Sequence, residues 1–169
     1  MDKYFDANRP CQAVSKQFIK HYKPEKPTLL IAINDFNDQF KAFNERVNYL
    51  TYSNYVDVCW LYFDDIGYIP FGDKSLNMFT KKQAKELIQF LDNHFEAKDF
   101  ERVLVHCYAG VSRSQADALF IAKYYLKDKD LFEGLYHQEG KVTGGNHFVY
   151  SLLEETYERE HHAKNLKNN

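Results

Sequence analysis

The chain has 169 residues, the length of one domain with a sizeable core. Aromatic residues make up 17%, with 13 Tyr and 14 Phe, which argues against a disordered chain; a formal net charge of −2 gives no basic excess for general nucleic-acid binding. No apolar run approaches the roughly 20 residues that cross a bilayer, and the opening MDKYFDANRP lacks the apolar core of a secretory signal.

No repeat, low-complexity tract or linker divides the chain, so a single domain over 1–169 is expected, with its core over about 28–158 and a polar tail over about 160–169. Gln12–Tyr22 reads as a short amphipathic helix, broken by KPEKP. Thr28–Ile33, TLLIAI, reads as a buried strand ended by Asn34-Asp35, and Asp38–Leu50 as a weaker helix. Val56–Phe63 is a second strand. Asp64–Phe79, punctuated by Gly67, Pro70 and Gly72, is a loop. Thr80 with Gln83 three positions later is a capping-box pattern, and Ala84, Leu87, Ile88, Leu91 and Phe95 then recur at helical spacing. Arg102–His106 is a third strand. Ser112–Leu126 follows as a helix with Ala116, Leu119, Phe120 and Lys123 or Tyr124 on one face. Asp130–Gln138 is a further short helix. Asn146 caps a last one, NHFVYSLLEETYE, and the tail HHAKNLKNN is expected to fray. Strands alternating with helices predict an α/β fold: a central, mostly parallel twisted sheet flanked by helices.

The segment between the third strand and its helix, CYAGVSR, carries the chemistry. A loop that runs from a strand into a helix faces the positive end of that helix, whose first N–H groups lack intrahelical partners; it is a cradle for an anion such as phosphate. Gly110 allows a backbone conformation and a close approach that other residues resist. The helix end, the N–H groups and Arg113 all favour negative charge on Cys107, and a thiolate is a nucleophile. Arg113 offers a planar fork for two phosphate oxygens. Ser114 is placed to hydrogen-bond Cys107, and His106 to orient the loop. A cysteine at a strand end is ordinarily only a small core residue; Cys107, Gly110, Arg113 and Ser114 at this spacing are not explained that way.

HCYAGVSRS resembles the H-C-x-x-G-x-x-R-S motif of the cysteine-dependent protein tyrosine phosphatases, and its S-R-S ending looks most like the dual-specificity branch. The layout from about Thr28 to Glu158 is similar to that family's catalytic domain, except that Gly145-Asn146 stands where the family has Pro-Asn. The resemblance implies hydrolysis of phosphotyrosine, with phosphoserine and phosphothreonine as further candidates, through a phosphocysteine intermediate. Cys107 is then the nucleophile. The backbone of Tyr108, Ala109, Gly110, Val111, Ser112 and Arg113 binds phosphate, together with the Arg113 side chain, and His106 and Ser114 support it. The family takes its general acid from an upstream aspartate. Asp65, the second aspartate of FDD, is favoured here; Asp73 and Asp64 are the alternatives.

This mechanism needs no metal and no cofactor, and His94, His137, His147, His161 and His162 show no ligand spacing. The three cysteines, Cys11, Cys59 and Cys107, are odd in number and widely spaced, which suggests neither a disulfide framework nor a C-x-x-C zinc site and fits the cytoplasm. Some relatives protect the nucleophile with a nearby cysteine; Cys59 is the candidate, the plainer reading being a buried small residue. Tyr52, Tyr55 and Tyr68 are candidates for a cleft lining or for ordinary core. No Asn-Arg-Tyr phosphotyrosine-recognition signature is present, and CYAGVSR contains none of the lysines usual in the lipid phosphatases of the superfamily. The expected partner is a phosphorylated protein or peptide met by a monomer, with no nucleic acid and no membrane. The rival readings are a phosphoprotein-binding pseudophosphatase and an RNA or nucleotide phosphatase.

Overall fold

The computed structural model describes residues 5–41, 54–67, 76–138 and 141–167. Its centre is a four-stranded, all-parallel sheet of β1 (Cys11–Ser15), β2 (Thr28–Asn34), β3 (Tyr55–Tyr62) and β4 (Arg102–Cys107), in the order β1-β4-β2-β3. The runs TLLIAIN and RVLVHC are buried at every position, as strands covered on both faces must be. Alternation divides them between two clusters. Leu29, Ile31, Ile33, Val103 and Val105 join the larger core with Leu61, Phe63, Leu87, Leu91 and Phe120; Leu30, Ala32 and Leu104 join Val14 and Ile19 on the other face.

The helices are α1 (Lys16–His21), α2 (Lys81–Ala97), α3 (Arg113–Ile121), α4 (Lys129–Tyr136) and α5 (His147–Lys167). The expected capping box forms at Thr80 and Gln83. α4 starts from Asp128, whose side chain accepts from the N–H of Leu131 at 2.8 Å. A two-stranded hairpin, β5 (His137–Gln138) with β6 (Lys141–Val142), leads toward α5. Among the described residues no helix is long and apolar enough to cross a membrane.

Four expectations need correction. Gln12–Tyr22 is not one helix: β1 takes its first part and pairs along β4 from Cys11 beside Val103 to Ser15 beside Cys107, and Ser15 then caps α1 by accepting from the N–H of Phe18 at 3.1 Å. Pairing with a buried neighbour overrides the local periodicity. The helix expected over Asp38–Leu50 begins as a 3₁₀ turn, Phe36–Phe40, and the remainder falls largely outside the described residues. The helix expected over Ser112–Leu126 is α3 followed by a π-type turn, Ala122–Leu126, that ends at Lys127 with φ of 52°. All nine residues of α3 are buried rather than one stripe, because it is wedged against β1, β4, α4 and α5. The polar tail is helical to Lys167: Lys164 and His161 reach Asp92 on α2 at 2.6 and 3.3 Å, and Lys85 reaches Glu160 at 2.7 Å.

One group in this core is out of place. Asp117, in α3, is fully buried, and neither carboxyl oxygen has a hydrogen-bond partner among the described residues. Burial pushes its pKa well above its ordinary 3.8, so the carboxyl is kept neutral in the fold. A raised folded pKa means that the folded chain holds a proton the unfolded chain has lost. Stability from this group is therefore full below its ordinary pKa and is lost as pH rises toward the folded value, at up to about 1.4 kcal/mol per pH unit. Asp117→Asn should lose less unfolding temperature than wild type as pH rises above the ordinary carboxylate range. Parallel pH curves for the two proteins would contradict a neutral, buried Asp117.

Candidate active site

The carboxyl end of β4 lies inside the sheet between β1 and β2, and the chain turns there directly into α3. Gly110, with φ of +79°, sits at the middle of that turn. A Cβ at Gly110 would stand 2.5 Å from the carbonyl carbon of Val14 and 2.7 Å from the nitrogen of Ser15, so the loop is pressed onto the β1–α1 junction. The N–H of Lys16 donates to the carbonyl of Tyr108 at 3.2 Å across the same junction.

Cys107 is buried at the base of this turn. The N–H of Gly110 donates to its Sγ at 3.3 Å, and Ser114 Oγ lies 3.1 Å from the sulfur. Ser112, at the N-terminus of α3, makes no side-chain cap to the helix. Its hydroxyl donates instead to Asp65 Oδ1 at 2.8 Å, leaving the first-turn N–H groups without a side-chain acceptor from the cap. His106 is fully buried, and its pKa falls to about 3. Burial is the main cause and the charges of Lys16 and Arg113 add to it, against a hydrogen bond to the Cys107 backbone. It is a neutral ring beneath the loop at any physiological pH.

Arg113 is buried, with only 4% of its surface exposed. One side of its guanidinium is anchored: Nη1 donates to the carbonyl of Phe63 at 2.7 Å and pairs with Asp35 Oδ1 at 2.8 Å. On the other edge, Nε lies 4.0 Å from Asp65 Oδ2 and has no hydrogen-bond partner among the described residues. A buried, unpartnered N–H of a cation beside a helix N-terminus is a site for an anion.

The three aspartates considered from the sequence fall differently. Asp65 is partly exposed; its Oδ1 accepts from Ser112 Oγ and from Asn146 Nδ2 at 2.9 Å, and its Oδ2 faces Arg113. Asp64 is occupied in tying the end of β3 to two other segments, accepting from the N–H groups of Phe36 and Asn77 at 3.2 and 2.8 Å. Asp73 lies outside the described residues, as do Tyr52 and Tyr68. Tyr55 is buried at the opposite, amino end of β3. His94 bridges Asp57 and Asp99 on the surface.

Sequence reasoning missed Asp35 as a site residue, reading it only as the end of a strand. The available signal was its place at the carboxyl end of a buried parallel strand, where ligand sites of such sheets collect. It also gave Asn146 only a capping role.

No protein-family model and no curated protein matches the sequence. Solved structures do match. Cydia pomonella PTP-2 phosphatase aligns with a TM-score of 0.57 at 15% identity, over 92% of this chain and 90% of its own. The human tyrosine phosphatase-like serine/threonine/tyrosine-interacting protein aligns at 0.54 and 17% over 92% and 95%, and Tk-PTP in its active form at 0.52 and 12% over 91% and 95%. The fold is that of the protein tyrosine phosphatases. Gly145, just before Asn146, takes φ of +68°, which a proline cannot, with its Cα so close to α3 that a Cβ would meet the nitrogen of Ala116 at 2.6 Å.

The strand register also bears on Cys59. It lies beside Ile31 on β2, which lies beside Val105 on β4, so Cys107 is two strands away and two residues further along. Strand spacing puts the two Cα atoms roughly 12 Å apart, beyond the roughly 7 Å limit of a disulfide. Cys11 lies beside Val103, four residues back from Cys107. Burial pushes the thiols of Cys11 and Cys59 far up. Mild peroxide should therefore add oxygen to Cys107 without forming a protein disulfide. A Cys59–Cys107 crosslinked peptide in the digest would contradict this register.

Proposed function

We propose that the protein is a phosphatase that hydrolyses phosphate monoesters of tyrosine, with serine and threonine esters as a second substrate class, through a phosphocysteine intermediate. The observation that carries this reading is the pairing of Cys107 Sγ, at the base of the turn, with the open Nε edge of a buried Arg113 at the start of the following helix.

In the first step the Cys107 thiolate attacks phosphorus and the bond to the ester oxygen breaks. N–H groups of the turn from Tyr108 to Arg113 and the Arg113 guanidinium stabilise the equatorial oxygens. Asp65 gives its proton to the leaving oxygen. In the second step water attacks phosphorus, Asp65 takes its proton, the S–P bond breaks, and phosphate leaves. Ser114, 3.1 Å from the sulfur, stabilises the departing thiolate. The neutral His106 ring beneath the turn orients it.

The rim favours an aromatic phosphoryl carrier. Tyr108 and Val111 are largely exposed at the mouth, and residues 107–113 include no lysine. An aromatic ring and an apolar side chain suit the ring of phosphotyrosine better than a polyanionic headgroup.

The test is release of p-nitrophenol from p-nitrophenyl phosphate without added metal, followed by phosphotyrosyl and phosphoseryl peptides. Turnover should be abolished in Cys107→Ser. Asp65→Asn should slow a substrate with a poor leaving group by about 10² to 10⁴-fold. No turnover by folded wild type, together with phosphopeptide binding, would replace this reading with that of a binding module. Preferential hydrolysis of an RNA 5′-triphosphate would replace it with an RNA phosphatase.

A further inference from the structure

The turn before the last helix does more than start that helix. Asn146 Oδ1 accepts from the N–H of Val149 at 3.2 Å, the bond that caps α5. That bond settles the orientation of the amide, because only the oxygen end can accept. The donor end, Nδ2, is thereby aimed at Asp65 Oδ1, 2.9 Å away, with the carbonyl of Ile66 at 3.5 Å.

The turn itself is referenced to the cradle. The N–H of Asn146 donates to the carbonyl of Ser112 at 3.1 Å, the same carbonyl that accepts from Ala116 in the first turn of α3. Gly145 is in contact with that turn too closely for any side chain. Gly67, two residues beyond Asp65, lies near Phe148 of α5, with space between them for an added Cβ at ordinary contact distance, 3.7 Å from Phe148 Cβ. Asp65 is therefore held at the start of α5 by the Asn146 side chain, while Ser112 holds the same carboxylate oxygen from the cradle side.

We propose that Asn146 is a positioning residue for Asp65. With Oδ1 occupied by two donors, the carboxyl proton resides on Oδ2, the oxygen turned toward Arg113 and the phosphate cradle. Asn146 thereby ties the start of α5 to the orientation of the acid. This rests on the reading of Asp65 as general acid.

The test uses Asn146→Ser and Asn146→Asp, which both keep an oxygen able to cap α5; the aspartate has no donor, and the shorter serine has no group at the place of the amide nitrogen. The readout is kcat/KM across aryl phosphates of increasing leaving-group pKa, in wild-type and Asp65→Asn backgrounds, with unfolding temperature measured for each. The donor's loss should steepen the leaving-group dependence, lowering the poor-to-good substrate ratio by about 10- to 100-fold. In the Asp65→Asn background the same substitutions should add less than about threefold. An unchanged slope, or an equal loss in both backgrounds, would overturn the proposal and leave Asn146 a helix cap. If wild type shows no turnover dependent on Cys107, the phosphatase reading fails and takes this inference with it; normal turnover with an unchanged slope overturns this inference alone.

Discussion

Gly110 has no room for a side chain, and much of the site follows from that. Its Cα is pressed against the backbone where β1 becomes α1, and it can sit there only with a left-handed φ. The turn is thereby curled tightly enough for the Gly110 N–H to reach back to Cys107 Sγ, and for α3 to start three residues later. β1 is thus more than an edge strand: it is the wall that shapes the cradle. A four-stranded parallel sheet places that wall, the sulfur and the carboxyl end of β2 at one edge.

The charges are arranged around one buried cation. Arg113 is anchored on the Nη1 side by Asp35 and by the Phe63 carbonyl and is open at Nε. Its planar fork is thus fixed before an anion arrives, so little reorganisation is left for the moment of binding. Asp65 stands on the open side, and Ser112 and Asn146 hold one of its oxygens. Lys16, close to the loop in space, is committed elsewhere: its ammonium bonds Asn34 and Asp38 at 2.7 and 3.0 Å.

Much of this was legible in the sequence where information is local. β2, β3 and β4 stand out as apolar runs, and their observed ends lie within about one residue of the expected ones. The cradle is legible because its parts are contiguous, from Cys107 to Ser114. What was missed depends on distant partners. β1 is a strand only because β4 offers an open edge, and its five residues carry no decisive pattern alone. Asp35 reaches Arg113 across 78 positions of chain, and Asn146 reaches Asp65 across 81, so neither contact leaves a local trace. Asp117 was missed for the opposite reason: a carboxylate in a helical stretch reads as a solvated position, and here the helix has no solvated face.

The central claim is that Cys107 forms a covalent bond to phosphorus. The most direct measurement is rapid quenching of the enzyme in alkaline denaturant within the first turnover of a good aryl phosphate, followed by intact-mass and peptide analysis. One added phosphoryl group is expected on the peptide that contains Cys107, in a bond more labile to acid than to base, and none in Cys107→Ser. Turnover that continues with an unmodified Cys107, or a phosphoryl group found on another residue, would contradict it.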